Sequence, residues 1–207
     1  MPLDYIVSAF VTLLVVVDPI GLVPVFAGLT AGLPQDARQQ VAVRACLIAA
    51  AILFGTAIAG EFLLRSLGIT PPAFEIAGGL LLSLVATEMV IGARLKDQSR
   101  TAEQAIEEHV RNIAAFPIAI PLMAGPGAIA ATVLLSSAAY AGLMFVSLLV
   151  VIAAVCGVTL AAFHFADRIT RLIGITGNVV LSKLLGIILA ALAVQYVIDG
   201  IRAVIAR

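Results

Sequence analysis

The sequence predicts an all-α polytopic membrane protein of six transmembrane helices. They form two inverted three-helix repeats, with helices 1 and 4 broken at proline near the membrane midplane. Three observations carry this reading: an apolar composition, basic residues gathered on one side of the apolar runs, and landmarks that recur at a nearly constant offset. Of 207 residues 62% are hydrophobic and 12% charged, and the mean hydropathy is +1.17, a balance that a water-soluble surface does not sustain. A helix crossing ~30 Å of hydrocarbon uses roughly 20 residues, so the length accommodates about six or seven crossings and little else. Twelve Lys+Arg balance twelve Asp+Glu. Without a net basic field, the lipid bilayer and not nucleic acid is the expected environment.

Uninterrupted apolar stretches fall at 5–29, 41–64, 73–93, 113–136, 142–165 and 179–201. The first follows Met1-Pro2-Leu3-Asp4, with neither a basic n-region nor a small-residue cleavage pattern, and reads as a retained helix. It contains Asp18-Pro19-Ile20-Gly21 and Pro24. Proline removes an amide donor and clashes with the preceding turn, so the helix should kink or break here. At 1.5 Å per residue Asp18 lies roughly 20 Å from Tyr5 and about as far from Thr30, close to the midplane. The second run holds Cys46 and the fifth Cys156, both read as packed or lipid-facing side chains. In the third run Gly79 with Ser83, and in the sixth Gly186 with Ala190, are small-xxx-small pairs, so Gly78, Gly79 and Gly186 read as helix-packing positions. The fourth run carries Pro117, Pro121 and Ala124-Gly125-Pro126-Gly127, a second break at mid-depth. The polar stretch Lys96 to Arg111, with His109, reads as a solvated linker between the halves, dividing the chain into 1–95, 96–111 and 112–207.

The halves repeat. Residues 65–70 read RSLGIT and 171–176 read RLIGIT, an offset of 106; Pro19 with Pro126, Gly79 with Gly186 and Val90-Ile91 with Val197-Ile198 follow at 107. Three crossings per repeat force the second copy to enter the membrane upside down. The connections after helices one, three and five carry Arg38, Arg44, Arg94, Lys96, Arg100, Arg111, Arg168 and Arg171, against Arg65, Arg202 and Arg207 on the other side. The positive-inside rule then places the odd connections in the cytoplasm and both termini outside.

The break chemistry suggests a ligand. Asp followed by Pro is a cap followed by a first helical residue, so a half-helix should start at Pro19, and another at Pro126 after Gly125. The second lacks a side-chain acceptor. The amides of Gly127 and Ala128, at the positive end of a helix dipole, suit a carboxylate, while Asp18 suits an ammonium group. Asp18, Pro19, Gly21, Gly125, Pro126, Gly127 and Ala128 are therefore the expected substrate-binding residues for a small zwitterion. The structural alternative is that Asp18 only caps its own helix and that Gly125 and Gly127 only permit close helix packing, with the functional reading preferred for Asp18. Asp18 and Glu88 are the candidates for ion coupling, although Glu88 also suits an interfacial acid paired with Arg94. Gln195, at the repeat position of Glu88, reads as a helix bridge, and Glu75 with Lys183 as an ion pair. Glu61, Asp199 and His164 read as interfacial. No HExxH, GxSxG or Walker loop is present, so catalytic residues, metal and cofactors are not expected. Uphill transport would then need an ion gradient.

These residues resemble the MarC family of membrane proteins, also called the neutral amino acid transporter family. The resemblance is carried by VVVDPIGLVPVF (15–26), GIT with IAGGLLL (68–82), PIAIPLMAGPGAIAAT (117–132) and SKLLGIILAALAVQYVIDGI (182–201). It implies a six-helix protein of the bacterial or archaeal cytoplasmic membrane, some members being described as carriers of glycine and alanine. The chain departs from the family pattern with Glu75 before IAGG, where many relatives have Arg, and with Lys183 where Arg is usual. The expected function is secondary transport of small neutral amino acids. A channel or exporter for another small solute is the alternative and a membrane scaffold a third reading; the oligomeric state is left open.

Overall fold

The computed structural model describes residues 2–92, 114–139 and 142–205. All described regular structure is helical. In chain order it comprises α1 (Pro2–Val17), α2 (Pro19–Leu29), α3 (Gln35–Ser66), α4 (Pro71–Ile91), α5 (Ala114–Met123), α6 (Pro126–Ser137), α7 (Gly142–His164) and α8 (Ala166–Ile205). Five stretches are long and apolar enough to cross a membrane: Leu3–Leu29, Gln35–Gly60, Pro71–Ile91, Gly142–His164 and Thr176–Ile205. The run expected at 113–136 is divided into α5 and the twelve-residue α6. The whole expected linker, 96–111 with His109, lies outside the described residues, and so does Arg94, the proposed partner of Glu88.

Backbone chemistry accounts for the interruptions. α5 is wound with π spacing, and Ala124 N donates to Ala119 O, five residues back, at 2.9 Å. Pro117 and Pro121 supply no amide hydrogen, and a wider turn is one way to re-satisfy carbonyls where no water is at hand. The paired hexapeptides become turns. Gly68 (φ +70°) and Gly174 (φ +65°) both sit in the left-handed region that glycine enters at little cost. Gly68 precedes α4, where Thr70 Oγ1 accepts from Ala73 N at 3.4 Å and Pro71 opens the helix. Gly174 breaks the helical path of α8 just before its long apolar part.

Packing follows from the small residues. α4 lies along α8, α3 along α7, α1 against α7, α5 against α3, α2 against α8 and α6 against α4. A Cβ on Gly79 would meet Ala193 O at 2.7 Å and Val197 Cγ2 at 2.8 Å, one on Gly186 would meet Met89 Cβ at 2.8 Å, and one on Gly78 Leu134 Cδ1 at 2.6 Å. Backbones approach so closely only where side chains are absent, which is how helices associate in a solvent as apolar as themselves. Cys46 and Cys156 are buried free thiols. Leu80, Leu84 and Ile91 on α4, and Val146 and Val150 on α7, are exposed and form the apolar surface a bilayer would cover.

Two expected polar contacts are corrected. Glu75 sits beside Gly200, whose added Cβ would lie 3.1 Å from Glu75 Cβ, about 25 Å along α8 from Lys183 at 1.5 Å per residue; the two do not pair. Gln195 makes its hydrogen bond within its own helix and bridges no helices among the described residues: its Nε2 donates to Asp199 Oδ1 at 2.9 Å. In both cases spacing along the sequence was read without the register in which α4 and α8 meet.

Gly79→Ala is expected to destabilise the protein by about 1–3 kcal/mol, since a backbone carbonyl must move to admit the methyl group. Gly55→Ala, where an added Cβ meets nothing within 4 Å, should leave stability unchanged or raised. Thermal unfolding of the two variants in detergent checks the contrast.

Candidate functional site

α1 cannot continue past Val17, because the carbonyl of Val15 would need an amide hydrogen from residue 19, and Pro19 has none. Asp18 resolves the break. Alone among the described non-glycine residues it has positive φ (51°, with ψ 65°), a conformation that Asp and Asn tolerate better than other side chains. Its amide still closes α1 by donating to Leu14 O at 3.0 Å, and its carbonyl opens α2 by accepting from Leu22 N at 3.1 Å. Oδ1 accepts from Gly21 N at 3.0 Å, the N-cap bond that the Asp-Pro pair predicts. Oδ2 accepts from the Ser182 hydroxyl of α8 at 3.1 Å. A Cβ on Gly21 would overlap this carboxylate, so glycine is needed there for space. Asp18 is only 3% exposed, and Pro19 and Gly21 are buried with it.

The second break lies alongside the first. Gly125 (φ −78°, ψ 175°) offers no side chain to cap α6 and Pro126 no amide hydrogen, so the helix opens on the amides of Gly127 and Ala128. A Cβ on Gly127 would lie 3.0 Å from Val85 Cγ2 and 3.4 Å from Val16 Cγ1, which sets the start of α6 beside the end of α1. At the other end, Tyr5 donates its hydroxyl proton to Leu135 O at 2.8 Å. α6 therefore runs antiparallel to α1, with its positive end next to the residue preceding Val17 and Asp18. Gly127 and Ala128 are buried, Gly125 is half-buried and Pro126 exposed. Glu88 is not brought into this group: it is exposed on α4.

The family model described as "MarC family integral membrane protein" matches residues 3–205. The chain belongs to the MarC family. Relatives include a "UPF0056 membrane protein" of Methanocaldococcus jannaschii, 37% identical over 203 residues and covering 98% of both chains. One from Archaeoglobus fulgidus is 37% identical over 202 residues, covering 96% of this chain and 93% of the relative. The Escherichia coli protein named YhcE is 30% identical over 195 residues, covering 94% and 91%. No solved structure matches. The molecule is thus a multi-pass integral membrane protein of a family with bacterial and archaeal members.

Two polar residues of this MarC chain had no role assigned by the sequence reading. Ser182 contacts Asp18 directly, and Asn178 stands one turn earlier on the same helix. Both are buried, and Asn178 Oδ1 has no hydrogen-bond partner among the described residues. Two polar residues four apart in an apolar helix were the available signal. Ser182 was noticed only as part of a matching stretch, because nothing in the sequence shows that it meets residue 18.

A second polar group occupies the far end of α2. The Phe26 and Phe163 rings stack with centroids 4.3 Å apart, and the Arg38 guanidinium lies 5.5 Å over Phe26 while Nη1 donates to Asp167 Oδ2 at 2.9 Å. With His164 these residues line a cavity of about 570 Å³, within the ~300–1,000 Å³ typical of small-molecule pockets. Among the described residues no three His, Cys, Asp or Glu side chains gather into a metal-ligand set.

Asp18→Asn keeps an acceptor for Gly21 N and should stay within about 0.5 kcal/mol of the parent, whereas Asp18→Ala should lose about 1–2 kcal/mol with the cap. Thermal unfolding of both in detergent separates the capping role of the side chain from its charge; equal losses would remove Asp18 as the cap of α2.

Proposed function

We propose that this MarC protein is a secondary carrier of small neutral amino acids of the glycine and alanine class in the cytoplasmic membrane, and not an enzyme. The observation that carries the reading is the meeting of two helix breaks. A buried carboxylate at Asp18 stands beside a helix start, Gly125 to Ala128, that has no side-chain cap. A zwitterion complements such a pair, with its ammonium toward Asp18 and its carboxylate toward the amides of Gly127 and Ala128. The wall of Gly, Ala and Pro favours a small side chain on the ligand. Breaks of this kind in hydrocarbon persist where they face protein or a wet site.

The packing supports two inverted three-helix repeats. Exchanging the halves turns α1 on α7 into α5 on α3, α2 on α8 into α6 on α4, and α3 on α6 into α7 on α2, and all six contacts are present. The glycine turns at 68 and 174 fall at the same place in each half. The basic-residue asymmetry then puts the α2–α3 turn, and with it the Arg38 cavity, on the cytoplasmic side, with both termini outside. In that frame the Phe26–Phe163 stack and the Arg38–Asp167 pair stand between Asp18 and the cytoplasm, a placement suited to a gate.

Proteoliposomes containing the protein should take up or release labelled glycine or alanine with saturable, gradient-sensitive kinetics. Asp18→Asn should abolish this while the protein remains folded, and esterifying the substrate carboxylate should remove competition. Unsaturable flux would move the reading to a channel. Competition by the ester equal to that of the free acid would remove the carboxylate site at α6.

A further inference from the structure

Among the described residues the buried hydroxyls that donate a hydrogen bond do so within their own helix, Ser182 excepted, and Thr12 Oγ1 has no partner. Thr30 donates to Phe26 O at 2.7 Å, Thr132 to Ala128 O at 2.7 Å and Thr159 to Val155 O at 2.9 Å, the usual way such groups are satisfied away from water. Ser182 is different: its proton goes to Asp18 Oδ2, 164 residues away. A hydroxyl that donates one proton keeps two acceptor lone pairs, and the bond to Asp18 fixes the position of this one. One turn earlier, Asn178 is 8% exposed and its Oδ1 is buried with no hydrogen-bond donor among the described residues. An orphaned carbonyl oxygen of this kind is costly to bury, and it stands in the part of α8 that α4 does not cover, since α4 ends at Ile91 opposite Gly186. That part of α8 is where α2 packs and where Ser182 reaches Asp18.

We propose that Asp18, Ser182 and Asn178 together form a binding site for a primary ammonium group, one oxygen for each of its three N–H donors. This rests on the amino acid reading above and names the α8 residues that would select the amine. The carboxylate supplies the charge; the hydroxyl and carboxamide oxygens supply direction. Three side-chain oxygens with one formal charge match a primary ammonium, whereas a metal cation of the hard, oxygen-seeking type takes six or more ligands. The Asp18–Ser182 bond puts two of the groups at the start of α2, and the spacing of 178 and 182 puts the third one helical turn, about 6 Å, along the same face of α8. There the absent side chain of Gly21 leaves the carboxylate in place. Selectivity follows from hydrogen-bond counting: each N-methyl group removes one donor and leaves one of these oxygens unpaired.

The test is ligand-induced thermal stabilisation of the purified full-length protein in detergent, using glycine, sarcosine, N,N-dimethylglycine and methylamine, with sodium chloride against choline chloride as a separate arm. Affinity is expected to fall down the methylation series. Ser182→Ala and Asn178→Ala should each weaken glycine binding about tenfold and flatten that series, while Ser182→Thr, which keeps the hydroxyl, should bind as the parent does and show that the loss is not one of folding. Methylamine separates the two readings: stabilisation by methylamine that both alanine variants weaken, without stabilisation by glycine, keeps the ammonium site and removes the amino acid. Parent-like glycine affinity and an unchanged methylation series in both alanine variants would overturn the proposal. So would the absence of stabilisation by every amine, or a sodium-specific stabilisation that these variants lose while amine binding is intact.

Discussion

Inside hydrocarbon every backbone amide and carbonyl must find its partner within the protein, and the break at Asp18 and Pro19 is where this chain meets that constraint most directly. The side chain of Asp18 satisfies an orphan amide of α2 at Gly21 while its own amide and carbonyl finish α1 and begin α2. The result is a helix interrupted by a single left-handed residue, with no loop to solvate. Because this needs a carboxylate or carboxamide at the break, the cap also leaves a polar group deep in an apolar core. Structure and chemistry are coupled there: the group that makes the break affordable is the group a ligand would meet.

The rest of the fold holds that break in register. α4 and α8 approach through Gly79, Gly186 and Gly200, where backbone or side-chain atoms already occupy the space of a methyl group. Their contact sets where α8 presents Ser182, beyond the end of α4 and against α2. α6 is set by its own small residue, Gly127, against Val16 and Val85, and by the Tyr5 bond to Leu135. Dispersion and close backbone approach carry these contacts, since burial from lipid gives no hydrophobic drive. Bulkier residues would still make apolar helices, but the breaks would not meet.

Legibility divided along the same line. The positions of the breaks were readable because proline and glycine act through backbone chemistry one to four residues away, and so was the cap at Asp18. The hexapeptides 65–70 and 171–176 match in sequence, and the glycine of each has positive φ, +70° at Gly68 and +65° at Gly174. Long-range side-chain contacts were not readable. Glu75 and Lys183 looked like partners by charge yet lie at different levels of α8, and Gln195 found Asp199 in its own helix. Asn178 and Ser182 were unremarked, and the Arg38–Asp167 pair with the Phe26–Phe163 stack was not foreseen. Each depends on the register of helices more than a hundred residues apart.

Composition and local backbone chemistry were enough to establish a membrane protein, the places where two of its helices break, and an acid at one of those places. Those properties depend on the solvent and on near neighbours in the chain. Which atoms surround the acid was settled by helix packing: Gly79 and Gly186 fix how far α8 slides along α4, and that slide puts Ser182, with Asn178 a turn away, at Asp18 instead of Lys183 or Gln195. A shift of one helical turn, about 5.4 Å, would leave every local signal in the sequence intact and present Asp18 with different partners.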